Sequence, residues 1–321
     1  MAHIMAARPP KRDSVLHFSL RKWGKIIWET IKEFGADDIS GIAGGVTFFM
    51  LLAFFPALTA FVSLYGLFAD VATAREHLSA IAGMLPPAAV QFVGDEMVRL
   101  AGGRSAGLSF AFLFSLLLSI WSANSGMKSL MAALNIAYEE KEKRNFFRLN
   151  LVSLAFTASA LLLAVIGIGS VIVLPALFAE LGIGTVVAAL RWPILFIILI
   201  FGLAVLYRFG PSLTKPHWHW ITPGSVLASL AWVAASLGLS WYIENFAHYD
   251  RTYGSLGAVI GFLMWIWIGM MVVLFGAELN CELDFASGVR SERLPTIGGS
   301  DKESSMQART SYAKKPETTT R

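Results

Sequence analysis

The sequence predicts an all-α integral membrane protein: a six-transmembrane-helix bundle with an N-terminal interfacial amphipathic helix and an external helical hairpin between spans one and two. Of its 321 residues, 55% are hydrophobic and 15% are charged, whereas a soluble domain has about 25% charged residues. Six stretches contain no Asp, Glu, Lys or Arg: 39–69, 105–127, 149–179, 192–207, 216–243 and 252–277. All but the fourth exceed the roughly 18 residues that mark a transmembrane helix. This pattern excludes a soluble globular enzyme, a disordered chain and a disulfide-rich secreted domain.

We place the six spans at 42–68, 107–127, 150–178, 187–208, 222–243 and 255–279. The fourth is the shortest, since its charge-free run corresponds to about 24 Å of helix, less than the roughly 30 Å hydrocarbon core of a bilayer. We therefore expect this helix to begin upstream of the run, with Arg191 near the outer interface. Pro56 and Pro175 fall inside the first and third spans. Each frees a backbone carbonyl and is predicted to kink its helix as a hinge, although proline also occurs in such helices without that role.

Lysine and arginine predict which side of the membrane each connection faces. Outside the spans and at their edges, 21 of these residues lie on the side that carries both termini and 5 lie on the other. Because the cationic excess lies in the cytoplasm, both termini are predicted to be cytoplasmic, in agreement with an even number of spans. The N-terminal segment has no apolar core before its first charges, so we expect no signal peptide.

Two segments flank the membrane domain, which we assign to residues 39–286. Residues 1–38 are predicted to form a cytoplasmic basic arm and an amphipathic helix. Apolar side chains recur there at helical spacing: Leu16, Leu20, Trp23, Ile27, Ile31 and Phe34. This helix either lies in the cytoplasmic interface against anionic lipid or packs on the inner face of the bundle. The external loop 70–104 is predicted to form a helical hairpin, and residues 287–321 a disordered cytoplasmic tail.

No catalytic motif is present in the sequence, so we expect no enzyme. The chain lacks the nucleophile elbow, the phosphate-binding loop, the HExxH signature and the EF-hand loop. The close histidine pair, His217 and His219, supplies two ligands where a catalytic zinc site takes three from the protein. Neighbouring tryptophans favour interfacial anchoring for this pair, and Cys281 is the single cysteine. We therefore expect no catalytic residue, no metal and no cofactor.

Polar residues at the cytoplasmic ends of spans two, four and six form our candidate site. They are Asn124, Lys128, Arg208, Glu278 and Asn280. Ionisable residues at membrane depth are costly, and they usually pair with one another or line a pathway. We hypothesise that Glu278 pairs with Arg208 or Lys128. In the alternative, each cation extends separately to lipid phosphates.

Serines and glycines mark two further helix faces. Span five carries a weakly polar stripe of Ser225, Ser229, Ser236 and Ser240. This stripe either lines a wet cavity or makes ordinary interhelical hydrogen bonds. Span six carries glycines at positions 254, 257, 261 and 269. Small residues permit close approach of two backbones, and they suit a contact within one chain as well as a contact between two copies.

Four segments carry a resemblance to a known family. They read GGVTFFMLLAFFPAL in span one, WSANSGMKSLMAALNIAYEEKEKRNFFR after span two, LYRFGP after span four and YGSLGAVIGFLMWIWIGMMVVLFGAELN in span six. With these motifs the chain resembles the YihY/BrkB family of bacterial inner-membrane proteins, once misassigned as ribonuclease BN. The resemblance covers nearly all of the chain between the basic arm and the tail, and the last motif is the most specific.

The resemblance implies a multi-pass protein of the bacterial inner membrane, and the family is similar to transporters in build. We expect a transporter or flippase-like exporter of a lipid or small amphiphile. A non-transporting scaffold for envelope assembly is the alternative. We favour a ribonuclease least, since the sequence offers no metal cluster or phosphate-binding motif. The expected partners are membrane lipids, with a homo-oligomer or an envelope-assembly protein as further alternatives, and no nucleic acid.

Overall fold

The computed structural model describes residues 18–65, 90, 94–95, 110–179, 184–213, 222–245 and 256–289. Within them the chain forms seven long helices and no strand. These are α1 (Leu20–Ala36), α2 (Ile39–Tyr65), α3 (Phe110–Ala137), α4 (Phe146–Ala179), α5 (Gly184–Phe209), α6 (Pro223–Asn245) and α7 (Leu256–Ala286). The all-α class is therefore confirmed for the described part of the chain.

Helices α2 to α7 coincide with the six segments that the sequence marks as spans. Helix α3 continues beyond the predicted end of its span to Ala137, because no proline interrupts the sequence there. Helix α5 begins at Gly184, upstream of the charge-free run as expected, and contains Pro193. Helices α2 and α4 continue through Pro56 and Pro175, and a kink at either proline stays a prediction.

Two described segments are long and apolar enough to cross a membrane, namely Pro223–Ile243 in α6 and Val259–Ala286 in α7. A third crossing results if α1 and the segment Ile39–Phe54 of α2 are taken together across a bend of 63°. Phe146–Ala160 and Pro193–Phe209 are shorter apolar segments of α4 and α5. The number of six spans stays a prediction from the sequence.

A tight corner joins α1 to α2. Helix α1 ends at Ala36 with Asp37 as its C-cap, and Asp38 follows with a positive φ of 49°. The carboxylate of Asp38 then lies against Gly41 in the first turn of α2, where an added Cβ would meet Asp38 Oδ2 at 2.5 Å. The missing side chain of Gly41 therefore makes room for this corner.

Helix α1 has two apolar faces, and one of them packs on α7. Ile26 is buried against Leu279 and Leu283 of α7. The stripe predicted from the sequence overlaps this face in part. Its members Trp23 and Phe34 pack on the bundle, whereas Leu20 is 91% exposed and Ile27 is also exposed. Helix α1 thus packs on the bundle through Ile26 and presents further apolar side chains outward, and its contact with anionic lipid stays a prediction.

The core lies where α2, α3, α5 and α7 meet. Ile39 and Leu134, of α2 and α3, pack with Tyr207 of α5 and with Leu274 and Ala277 of α7, and all five are buried. Helices α2 and α3 share the most extensive contact, while α7 contacts α1, α2, α3 and α6. Helix α7 is therefore the element that connects the site residues of the other helices.

Helices α6 and α7 approach each other closely at Gly224 and Gly276. A Cβ added to Gly276 would lie 2.8 Å from the carbonyl oxygen of Gly224 and 2.5 Å from the hydroxyl oxygen of Tyr207. Gly269, one of the glycines singled out in the sequence, faces Trp232 of α6, whose Nε1 lies 3.1 Å from an added Cβ. The glycine face of α7 therefore serves a contact within the chain at these positions.

Several predicted segments lie outside the described residues. These are the basic arm up to residue 17, most of the external loop 70–104, the pair His217 and His219, and the tail beyond residue 289.

Candidate functional site

The five candidate residues are carried by three helices. Asn124 and Lys128 lie one turn apart on α3, Arg208 lies in the last turn of α5, and Glu278 and Asn280 lie on α7. Asn124, Glu278 and Asn280 are buried, whereas Lys128 and Arg208 are partly exposed. They fall into three groups. Asn280 has a structural role, Lys128 and Arg208 are cations, and Asn124 and Glu278 are buried side chains that each have an oxygen without a hydrogen-bond partner among the described residues.

Glu278 is a buried carboxylate, with 2% of its surface exposed. Its Oε1 atom accepts no hydrogen bond from the described residues. Among those residues, the structure does not bring Glu278 into an ion pair with Lys128 or Arg208. Its electrostatic neighbours are four other carboxylates: Asp37, Glu33, Glu282 and Glu139. The packing of α1 on α7 causes this arrangement, because it brings the acidic residues at the end of α1 to the position where we expected a cation.

Asn124 is the second buried side chain with an unpartnered atom. It is 6% exposed, and its Oδ1 accepts no hydrogen bond within the described part of the chain. Helix α2 lies close here, since a Cβ added to Gly126 would be 3.8 Å from the backbone of Phe49 and Met50. A buried polar atom without a partner costs about 1–3 kcal/mol, and in a native protein such an atom commonly has a functional explanation.

The two cations of the candidate site have different surroundings. The guanidinium carbon of Arg208 lies 5.4 Å from the centre of the Phe209 ring, which is a cation–π distance. Lys128 is partly exposed on α3. Extension of each cation to lipid phosphates stays a prediction.

Asn280 has a structural role. Its Oδ1 accepts a hydrogen bond from the backbone N–H of Gly224 at 2.9 Å, and its Nδ2 donates to Thr222 Oγ1 at 3.1 Å. Its side chain is also hydrogen-bonded to the hydroxyl of Tyr138, which follows the last residue of α3. Asn280 thus holds the start of α6 and the end of α3 against α7.

The serine stripe of α6 makes hydrogen bonds of two kinds. Ser229 Oγ donates to the carbonyl oxygen of Ser225 at 2.8 Å, and Ser240 Oγ donates to that of Ser236 at 2.9 Å. Ser236 Oγ accepts a bond of 3.0 Å from the indole N–H of Trp265 on α7. The bond from Trp265 is an interhelical contact of the kind that the sequence analysis gave as one of two alternatives.

A polar network that we did not predict joins the α3–α4 connection to the end of α5. Asn135 Oδ1 accepts from the backbone N–H of Ser212 at 2.7 Å, and Asn135 Nδ2 donates to Glu142 Oε2 at 2.9 Å. Arg144 donates to both oxygens of Glu142, at 2.7 and 2.8 Å, and to the carbonyl oxygen of Gly210 at 2.8 Å. Above all because of the bonds from Arg144, the pKa of Glu142 is lowered to about 2. In the sequence, this network corresponds to the charged run after α3. From composition alone, such a run is interpreted as a solvent-exposed segment.

Acidic side chains from three elements gather beside α7, and we call them the acidic corner. Its members are Glu33 of α1, Asp37 at the end of α1, Glu139 after α3, and Glu278 and Glu282 of α7. Burial, followed by the charges of Glu33 and Glu139, raises the pKa of Asp37 to about 6. Within the described residues, no three His, Cys, Asp or Glu side chains are arranged to hold a metal ion.

Comparison with known proteins assigns the chain to a family. The family model described as Virulence factor BrkB matches residues 30–296, which include all of α2 to α7. The chain belongs to the BrkB family. This result confirms the resemblance that the four sequence motifs carry, and all four motifs lie inside the matched range.

Relatives of this BrkB-family chain occur in distant bacteria. The ribonuclease-like protein YfkH of Bacillus subtilis is 28% identical over 250 residues, which cover 74% of this chain and 87% of that protein. The UPF0761 membrane protein VP0125 of Vibrio parahaemolyticus is 27% identical over 262 residues, 79% of this chain and 80% of the relative. A UPF0761 membrane protein of Alkalilimnicola ehrlichii is 28% identical over 245 residues, 75% of this chain and 54% of the relative. No solved structure matches the chain significantly. The family and the apolar helices together identify a membrane protein.

Proposed function

We propose that this BrkB-family protein moves a lipid or small amphiphile across the bacterial inner membrane, as a transporter or flippase-like exporter. The observation that carries the proposal is a pair of buried oxygens without a partner among the described residues: Oδ1 of Asn124 on α3 and Oε1 of Glu278 on α7. Polar groups are costly in hydrocarbon, and ionisable ones within membrane helices commonly mark the path of a substrate or ion.

The proposal includes a topology of six spans with both termini in the cytoplasm. Helices α2 to α7 supply six helical segments of 23 to 34 residues. The excess of 21 cations against 5 supports the orientation. In this topology the acidic corner lies on the cytoplasmic side, where an exporter takes its substrate from the inner leaflet.

A scaffold for envelope assembly is the second candidate function. One observation favours it, namely the outward apolar face of α1, where Leu20 is 91% and Trp28 is 66% exposed. A partner protein docked on this face would cover both side chains. A ribonuclease has the support of the name of one relative alone. RNA cleavage by the purified protein, lost on joint replacement of His217 and His219 by alanine, would favour that activity.

Transbilayer movement of a labelled phospholipid in proteoliposomes tests the proposal. We expect movement with the wild-type protein and a decrease of about tenfold, or about 1.4 kcal/mol in barrier, for Glu278→Gln and Asn124→Ala. Asn245→Ala is the matched control, because Asn245 is exposed and its side chain donates to the carbonyl oxygen of Trp241 in its own helix at 2.8 Å. Equal movement with all variants would reject the two oxygens as the pathway. No movement above protein-free vesicles would reject lipid transport and favour the scaffold.

A further inference from the structure

Helix α1 carries too much charge to cross the hydrocarbon core of a bilayer. Six of its 17 residues are Lys, Arg or Glu, and charged side chains at membrane depth are costly. A bend of 63° separates α1 from the segment Ile39–Phe54 of α2. In the topology proposed above, α2 crosses the membrane, so this bend turns α1 towards the membrane plane. Helix α1 then lies along the membrane surface instead of completing a crossing with α2.

Contacts with α7 fix the direction in which each side of α1 faces. Ile26 packs against Leu279 and Leu283, and the ring centres of Phe34 and Phe275 are 5.8 Å apart. These contacts lie in both halves of α1, so the helix cannot rotate about its axis without losing them. The side chains on the opposite side of α1 are therefore held facing outward.

The outward side of α1 carries an apolar strip. Leu20, Ile27 and Ile31 are exposed, and at 3.6 residues per turn they lie within about 40° of one another around the helix. Trp28 lies beside them and is also exposed. An exposed strip of large apolar side chains marks a surface that contacts lipid or another protein.

Three exposed cations border one side of this strip, and we call them the cationic edge: Arg21, Lys25 and Lys32. They too lie within about 40° of one another around the helix. The two acids of α1, Glu29 and Glu33, lie beyond the cationic edge and are only partly exposed. Lys32 lies 3.7 Å from Glu29 but keeps 65% of its side chain exposed, and a surface ion pair of this kind is weak. The outward side of α1 therefore offers apolar surface and positive charge together.

We propose that the outward side of α1 binds anionic phospholipid of the leaflet in which it lies, with the acyl region against the apolar strip and the phosphates against the cationic edge. Charge complementarity favours this occupant over a partner protein, since each Lys or Arg near an anionic membrane surface strengthens binding about fivefold. Helices that combine an apolar side with cations lie in the plane of the membrane interface. The inference uses the topology proposed above and does not depend on transport.

The depth of position 27 in the membrane tests the inference on the full-length protein, reconstituted into nanodiscs that contain phosphatidylglycerol. Ile27→Cys is labelled with a fluorophore, and labelling of the wild type gives the background because Cys281 is buried. We expect a spin-labelled lipid to quench the fluorophore and acrylamide in the water to leave it bright. Lys141→Cys, at an exposed position outside α1, is the control and should show the reverse. Quenching of the label at position 27 by acrylamide alone would overturn the inference. Protection from both quenchers would overturn it in favour of a second copy of the chain.

Binding of short-chain lipids to the purified protein in detergent measures the headgroup preference. We expect phosphatidylglycerol to bind more tightly than phosphatidylcholine, and Lys25→Gln to weaken its binding about fivefold, because one cation of the edge is lost. Lys141→Gln removes one exposed cation outside α1 and is expected to bind both lipids as the wild type does. Equal affinities for the two lipids, or equal losses in the two variants, would overturn the inference. Displacement by inorganic phosphate at the same concentration as the lipid would also overturn it, because the surface would then bind free phosphate.

The transport assay separates this inference from the proposed function. Preferential binding of phosphatidylglycerol without lipid movement upholds the lipid surface of α1 and rejects transport. Lipid movement without headgroup preference upholds transport and rejects this surface.

Discussion

The side chain of Asn280 on α7 accepts a hydrogen bond from the backbone N–H of Gly224, the second residue of α6, at 2.9 Å. The first N–H groups of a helix have no partner within that helix. Thr222 caps the N–H of Ser225 at 3.2 Å, and the side chain of Asn280 from the neighbouring helix satisfies the N–H of Gly224. The approach is close because both helices lack a side chain here: a Cβ on Gly224 would collide with the carbonyl oxygen of Gly276. The hydrogen bond from Gly224 to Asn280 and the close contact between α6 and α7 therefore depend on each other.

Replacing Asn280 by alanine is expected to destabilise the protein by about 1–3 kcal/mol, because the buried N–H of Gly224 then lacks an acceptor. Thermal unfolding of the detergent-solubilised protein measures the change. Asn245→Ala is the matched control, since Asn245 is exposed and donates to the carbonyl oxygen of Trp241 within its own helix. Equal unfolding temperatures of the two variants would show that the Asn280 contact contributes nothing.

Replacing Gly276 by alanine is expected to separate α6 from α7. The added Cβ would lie 2.5 Å from the Tyr207 hydroxyl and 2.8 Å from the Gly224 carbonyl oxygen, and overpacking of this kind typically costs about 1–3 kcal/mol. Gly238→Ala is the control, because nothing lies within 4 Å of a Cβ there. Unfolding in denaturant should distinguish the two variants. We expect Gly276→Ala to lower the free energy of unfolding and Gly238→Ala to leave it unchanged.

The positions of α2 to α7 were predictable because long runs without charge mark apolar helices. The ends were less so, since α3 and α7 continue to Ala137 and Ala286, beyond the predicted ends of their spans. The start of α5 at Gly184 followed from the same argument, since its charge-free run was too short. The packed face of α1 was predictable only in part, since Trp23 and Phe34 of the predicted stripe pack on the bundle while Ile27 is exposed. Ile26 and Ile27 are both apolar neighbours on the helix, and the choice between them depends on Leu279 and Leu283, near the other end of the described chain.

The residues of the candidate site were predictable from the sequence, but the groups that each of them contacts were not. Asn124, Glu278 and Asn280 lie in apolar helices, so their burial follows from the sequence. Which atoms face Glu278 depends on the corner at Asp37, which returns the chain so that α1 packs on α7. The count of charged residues predicts an excess of cations on that side of the molecule. It does not predict which charged residues a tertiary contact brings next to Glu278.

The network around Glu142 predicts a loss of stability in acid. Hydrogen bonds from Arg144 lower the pKa of Glu142 from 4.5 to about 2. The stabilisation is therefore present above pH 4.5 and is lost as the pH falls from there towards 2. Glu142→Gln should unfold at a lower temperature than the wild type at pH 7, and the difference should shrink below pH 4. Glu140→Gln is the control, since it breaks the ion pair of Glu140 with Lys143. We expect this variant to lose stability in acid as the wild type does.

The raised pKa of Asp37 predicts the opposite dependence of stability on pH. Burial, Glu33 and Glu139 raise its pKa from 3.8 to about 6, so the contribution of Asp37 to stability is complete below pH 3.8 and is lost as the pH rises through 6. Asp37→Asn removes the charge and keeps a residue that can end α1. We expect this variant to unfold at a higher temperature than the wild type at pH 7.5 and at the same temperature at pH 4. The control is Asp38→Asn, which removes one charge from the exposed neighbour with φ of 49°, a conformation that asparagine tolerates. A similar gain from both variants would assign the effect to net charge rather than to the burial of Asp37.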